Sequence, residues 1–453
     1  MFDQLFEDFD AITTKQWKQK IQFELNGADY NQTLIWNAPE DIKVKPFYHN
    51  DEFKDAYWLK NTSQNVSICQ NIFVFDVDKS IERALESLKL GSESLRFSIT
   101  NESLEIEKLL EKLPLNNLTI YFNFSFLSLD FIQKIEKITQ PFQTTLYYNF
   151  DPIGQLAVDG NWFSSSQKTN FDFLNLLASQ ISNHSYISIN VALYQNAGAN
   201  MVQQIAYGLA HALEYFCRIS KINTQIVFEI AVGSNFFFEI AKLRAFRVLF
   251  DLLAKEYQHE LPCHLVVFPS KRNKTLYANH VNSLRTTTEC LSAILGGADA
   301  LVNQPFDALF HKDNQYSNQL ARNQLLFLKK EFLNQEKNPV EGSFYLESLT
   351  TQLADKALVL IKEMEAKGGF LKLLQEGVIK NKIQASATKE QELFDAKNEV
   401  LVGSNRFANR SDRMKESLEL FPFVKTKARK TLIIPIIERR LSEKIEQMRL
   451  ESE

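Results

Sequence analysis

From residue 66 onward two hydrophobic patterns alternate along the chain. Short, nearly continuous apolar runs ("SICQNIFVF" at 67–75, "SLRFSI" at 94–99, "LTIYFNF" at 118–124, "TTLYYNF" at 144–150) are each followed by polar and apolar residues spaced as in an amphipathic helix. The pattern continues through "YISINVAL" (186–193), "TQIVFEIAV" (224–232), "CHLVVF" (263–268) and "ADALVNQ" (298–304). Continuous apolar runs suit strands covered on both faces, and strands alternating with helices at this spacing predict a parallel sheet. Eight such units point to an α/β fold of the closed (β/α)8 TIM-barrel type, with an open doubly wound sheet as the competing arrangement. Asp78 is the expected N-cap of the first barrel helix and Asn101 that of the second.

Residues 1–65 lack this rhythm and predict an extended arm with one short helix within 9–27. Its Trp36, Phe47 and Tyr48 need a surface to lie on, either this chain's own barrel or a partner. The barrel is expected over 66–338, and a C-terminal helical extension over 339–453 that ends in a helix at 436–453. Lys425, Lys427, Arg429, Lys430, Arg439 and Arg440 read as a solvated basic face.

Composition narrows the function classes. A net charge of −4 offers no electrostatic case for nucleic acid or an anionic membrane, and no apolar run approaches the length of a membrane span. The four cysteines form no Cys-x-x-Cys pair and read as free thiols of a reducing compartment, and the acidic N-terminus lacks the features of a signal peptide, so a cytoplasmic location is expected. Chemistry in such a barrel belongs at strand C-termini. There the chain offers a polar rim that includes Tyr194, Gln195, Asn196, Glu229 and the loop Lys271-Arg272-Asn273-Lys274, which reads either as an anion site or as a solvated basic loop. No His-x-x-x-His or Gly-rich phosphate motif occurs among the seven histidines and 14 glycines. His211 reads as a packed or solvated helix residue, His264 lies at the wrong end of its strand, and His280, near the rim, is the best histidine candidate but reads as a capping or surface residue.

Several segments resemble the methylmalonyl-CoA mutase family of adenosylcobalamin-dependent acyl-CoA mutases: "NAGANMVQQIAYGLAHALEY", "NFFFEIAKLRAFRVLF", "VNSLRTTTECLSAILGGAD", "QLARNQLLFLKKE" and "GSFYLESLTTQLADKA", with "KVKPFY" in the arm. The resemblance implies a barrel whose axis receives a CoA thioester and whose C-terminal face, in a catalytic chain, is capped by a cobalamin domain. The catalytic pattern Gly-Tyr-His-Met-Gln-Glu-Ala-Gly-Ala aligns without a gap, and it puts Ala192 and Leu193 where that pattern has Tyr and His. "VVFPSKRNKTLY" stands in place of Arg-Thr-His-Ser-Gln-Thr-Ser-Gly, and the cobalamin signature Asp-x-His-x-x-Gly occurs nowhere.

These departures imply a chain with no catalytic residue, no cofactor and no metal of its own. It would be the small member of a heterodimer whose catalytic large subunit carries adenosylcobalamin. Tyr194, Gln195, Asn196, Lys271 and Arg272 would remain as a vestigial ligand-binding rim. Leu193 and the 36 phenylalanines could fill the barrel axis outright. Two other readings are the substrate barrel of a split acyl-CoA mutase and a stand-alone CoA-ester-binding barrel.

Overall fold

The computed structural model describes residues 10–53, 65–181, 183–220, 222–333, 338–425 and 428–453. The arm stretches 1–9 and 54–64 and Lys427 lie outside the described residues.

Eight parallel strands close into a barrel: β1 (Ser67–Phe73), β2 (Ser94–Ile99), β3 (Thr119–Phe124), β4 (Thr145–Phe150), β5 (Ser185–Asn190), β6 (Val227–Val232), β7 (His264–Pro269) and β8 (Ala300–Leu301). Closure decides against an open sheet. Two-residue β8 pairs on one side with β1 (Ala300↔Ser67) and on the other with β7 (Ala300↔Val266), so no edge is left unpaired.

Alternation along each strand sorts the side chains. Phe97, Phe122, Phe124 and Phe150 point outward and stack between sheet and helices, with Phe124 and Phe150 centroids 5.2 Å apart. These four phenylalanines therefore pack outside the strands, whereas Phe268 turns inward beneath Arg96. Leu193 is part of the outer core.

The caps differ from expectation. Asp76, not Asp78, accepts from Lys79 N at the start of the helix Val77–Lys89. Asn101 closes a turn onto Ser103 N, and the helix that follows begins only at Ile106. Inside the loop after β4 lies an unforeseen helix, Pro152–Asp159. Its signals are local: Asp151 as N-cap, Pro152 at the first position, and Gly160 in the left-handed region that ends it.

The arm lies partly on this chain's own barrel. Trp36 meets Phe238, Tyr48 meets Tyr345, and Ala38 and Ile42 join the main core. The helix Thr14–Glu24 buries none of its residues, and Phe23 on it is 84% exposed. After the barrel, Phe344–Ala366, Phe370–Gln375 and Val378–Asp395 add helices against the same core. The final helix is only Glu443–Glu451. Residues 428–441 run as a non-helical strap whose backbone N–H groups bond other segments, Ile436 N to Ala157 O and Arg439 N to Asn196 O among them. Among the described residues no helix is long and apolar enough to cross a membrane.

Candidate functional site

The inward-facing side chains form layers along the barrel axis. At the N-terminal end, Tyr121, Tyr147 and His264 stack face to face, with centroids 4.7 Å apart for the tyrosines and 4.5 Å for Tyr147 and His264. Tyr121 Oη and His264 Nε2 share a hydrogen bond of 2.8 Å. Burial pushes His264 down to about 4 and holds the Tyr121 phenol protonated. Cys69, Val227 and Val266 fill the space around this stack.

Above it, Arg96 of β2 reaches across the axis to Glu229 of β6. Its Nε and Nη2 donate to Glu229 Oε1 at 3.1 and 2.8 Å, and Nη1 donates to Asn71 Oδ1 at 2.7 Å. Asn123 and Asn149 donate to the same Oε1. The axis is thus closed by rings and by a polar network. Above the network a cavity of about 450 Å3 opens at the C-terminal end, where barrels of this kind place their sites.

The structure disperses the predicted rim. β5 ends at Asn190, and Ala192 and Leu193 belong to a short helix, Ala192–Asn196, rather than to the strand tip. Ala192 borders the cavity, while Leu193 turns into the core. Tyr194 is fully buried away from the mouth, with its hydroxyl 3.0 Å from His211 Nδ1. His211 is also buried, and its Nε2 lies 3.0 Å from Asp151 Oδ1. Burial alone would raise the Asp151 pKa, but His211, Tyr215 and Asn190 N together hold it below the usual range. This Asp–His–Tyr group has no access to the cavity and fastens the β4 and β5 loops to the helix Met201–Arg218. Gln195 accepts from Ser270 Oγ, and Asn196, which borders the cavity, accepts from Lys271 N.

The basic loop is not an open anion site, and only its Lys271 is exposed. Lys271 pairs with Glu438 of the strap. Arg272 is buried, pairs with Glu390 and donates to Arg439 O at 2.9 Å. Lys274 is buried against Glu289 at 2.7 Å, with Asn273 donating to the same carboxylate. Burial pushes Lys274 down and Glu289 up, although each lies against its opposite charge. The tail is largely the solvated face expected, with Lys425, Arg429, Lys430 and Arg439 exposed and Arg429 paired with Asp159; Arg440 departs from it and is buried against Glu446. Sequence alone does not show the pairs of Lys271, Arg272 and Arg429, because their acidic partners lie more than 100 positions away along the chain.

Of the other histidines, His280 is exposed at the N-cap position of its helix, where its ring stacks on Phe306 and makes no capping hydrogen bond, and His311 borders the cavity beside Glu419. Among the described residues no three His, Cys, Asp or Glu side chains converge as a metal site would require. Sequence reasoning passed over Arg96 altogether. A single arginine at an inward position of the otherwise uncharged run "SLRFSI" was the available signal.

The profile of the methylmalonyl-CoA mutase family matches residues 101–448. The chain is 27% identical over 442 residues to the methylmalonyl-CoA mutase small subunit of Porphyromonas gingivalis, covering 90% of this chain and 71% of that one. It is 33% identical over 261 residues to the methylmalonyl-CoA mutase of Rhizobium meliloti, covering 55% and 37%, and 31% identical over 255 residues to the human mitochondrial methylmalonyl-CoA mutase, covering 53% and 34%. The aligned part thus spans little more than a third of each of the last two. With a closed eight-stranded barrel and a profile match over most of its length, the chain belongs to the methylmalonyl-CoA mutase family.

Proposed function

We propose that this chain is the non-catalytic small subunit of a heterodimeric, adenosylcobalamin-dependent methylmalonyl-CoA mutase. Its partner would be the catalytic large subunit, which carries the cofactor and interconverts methylmalonyl-CoA and succinyl-CoA. The observation that carries this reading is the filled axis. A catalytic barrel of the family takes the thioester along its axis, and here Tyr121, Tyr147 and His264 occupy that path. Ala192 and Leu193 support the same reading, since neither side chain can form a hydrogen bond.

The residues present do not suit cobalamin. The Asp-x-His-x-x-Gly motif is missing, and the strap of residues 428–441 lies across the loops after β4, β5 and β7 through Ile436 N to Ala157 O, Arg439 N to Asn196 O and Leu441 N to Arg272 O. The exposed helix Thr14–Glu24, with Trp17 and Phe23, supplies apolar surface of the kind a stable interface buries.

Co-expression with a full-length mutase large chain tests the proposal. The two chains should elute together from size exclusion as a heterodimer, and this chain alone should give no turnover and retain no cobalamin. Independent monomers would overturn it, as would turnover by this chain supplied only with a stand-alone cobalamin protein.

A further inference from the structure

The subunit role leaves the mouth cavity without a use, yet its chemistry is specific. Its volume of about 450 Å3 lies within the range of small-molecule sites. The ring stack closes it from below, so entry is from the C-terminal face alone.

At its floor the charges are already spent. All three donating nitrogens of Arg96 are engaged, two with Glu229 and one with Asn71. Glu229 Oε1 accepts four hydrogen bonds, whereas Oε2 accepts none from a described residue, and Glu229 borders the cavity. At the mouth Lys271 is held by Glu438. The amides complement this acceptor. Asn71 and Asn190 each use the side-chain oxygen, on Arg96 Nη1 and Leu193 N respectively, which leaves the NH2 group as donor, and Gln304 stands on the same wall. Phe73 and Phe268 give apolar surface between them.

We propose that this cavity binds a small uncharged polyhydroxylated molecule of the sugar type. A carboxylate ligand would meet Glu229 Oε2 and find Arg96 already engaged. An ammonium would meet the guanidinium. A hydroxyl both donates and accepts, so it can donate to Oε2 while accepting from the Asn71 and Asn190 amides. The carbon skeleton of a cyclic polyol would lie against Phe73 and Phe268. Such a ligand differs from an acyl-CoA in charge.

Saturation-transfer NMR on the full chain, with D-glucose as probe and succinate as competitor, tests this. Glucose should bind saturably, and succinate should not displace it. Ala192→Phe places a ring in the mouth from a partly exposed helical turn, and Asn71→Ala removes one floor donor. They should weaken binding by about tenfold or more and by about threefold or more respectively, tenfold being the loss of about 1.4 kcal/mol. Circular dichroism establishes that each variant is folded. The proposal fails if glucose shows no saturable binding, if folded Ala192→Phe binds as well as the parent chain, or if succinate displaces the sugar. These outcomes do not depend on any partner subunit, so they are separate from the test of the subunit role.

Discussion

Replacing Arg96 with methionine tests whether the polar layer across the axis behaves as one unit. In the parent chain the guanidinium approaches Glu229 Oε1 through two nitrogens, at 3.1 and 2.8 Å, and the two side chains are only 12% and 9% exposed. Screening by water is weak at that burial, and removing one member of such a pair typically costs about 3–5 kcal/mol. Asn123 at 3.1 Å and Asn149 at 3.4 Å still donate to Oε1 after the change, and Oε2 borders a cavity, so the lower end applies. The expected cost of Arg96→Met is about 3 kcal/mol, and that of Glu229→Gln about 2 kcal/mol, because Arg96 keeps Asn71. The double variant leaves a neutral amide among two asparagines and should cost about 2 kcal/mol, giving a coupling near 3 kcal/mol. Urea unfolding followed by circular dichroism at pH 7.5 measures each term. A coupling below about 0.5 kcal/mol, with the single costs simply adding, would refute the view that these charges hold each other across the axis.

The remaining predictions concern burial and backbone. Burial lowers His264 from 6.5 to about 4, so the unfolded chain takes up a proton that the folded chain refuses. Its contribution is complete above pH 6.5 and is lost as pH falls toward 4, a span worth about 3 kcal/mol, and His264→Gln should flatten the stability profile over that window. An unchanged slope would count against the stacked, dry environment. A thiol reagent at pH 8 should label only Cys217 in the native chain, because Cys69 and Cys263 are buried with thiols pushed to about 12, and Cys290 is buried and raised as well. Labelling of more than one thiol before unfolding would contradict this. Gly198 has φ +101, and a Cβ there would lie 2.5 Å from that of Ala387. Gly198→Ala should therefore cost about 3 kcal/mol in denaturant unfolding, against about 1 kcal/mol for Gly27→Ala, where the φ is also positive but the space is open. Equal costs would mean that contact with the helix Val378–Asp395 does not matter.

Strand positions were legible because they depend on short-range information. "SLRFSI" became β2 residue for residue, and the long helices Phe236–Glu256 and Val281–Leu295 begin and end within a residue or two of their periodic patterns. The site was far less legible. Tyr194 sits among polar residues and looks like a rim residue, yet one turn of helix after Asn190 rotates it into the core against His211. Lys274 and Arg272 look like an exposed basic loop, but Glu289, Glu390 and Glu438, brought from other elements, account for the loop's charges.

By itself the sequence determined the eight-unit alternation, and hence a parallel α/β fold, because periodicity reports which face of each element must leave water; closure of β8 onto β1 was decided by strand pairing. It also determined the family, through motifs spread over most of the chain. The tertiary structure alone decided what occupies the axis. Inward residues from β2, β3, β4, β6 and β7 meet only when the sheet closes, so Arg96 finds Glu229 from 133 positions away, and Tyr121 finds His264 from 143. Pairing at that separation leaves no trace in local pattern, since its energy comes from a dry interior that exists only once the ring of strands is complete.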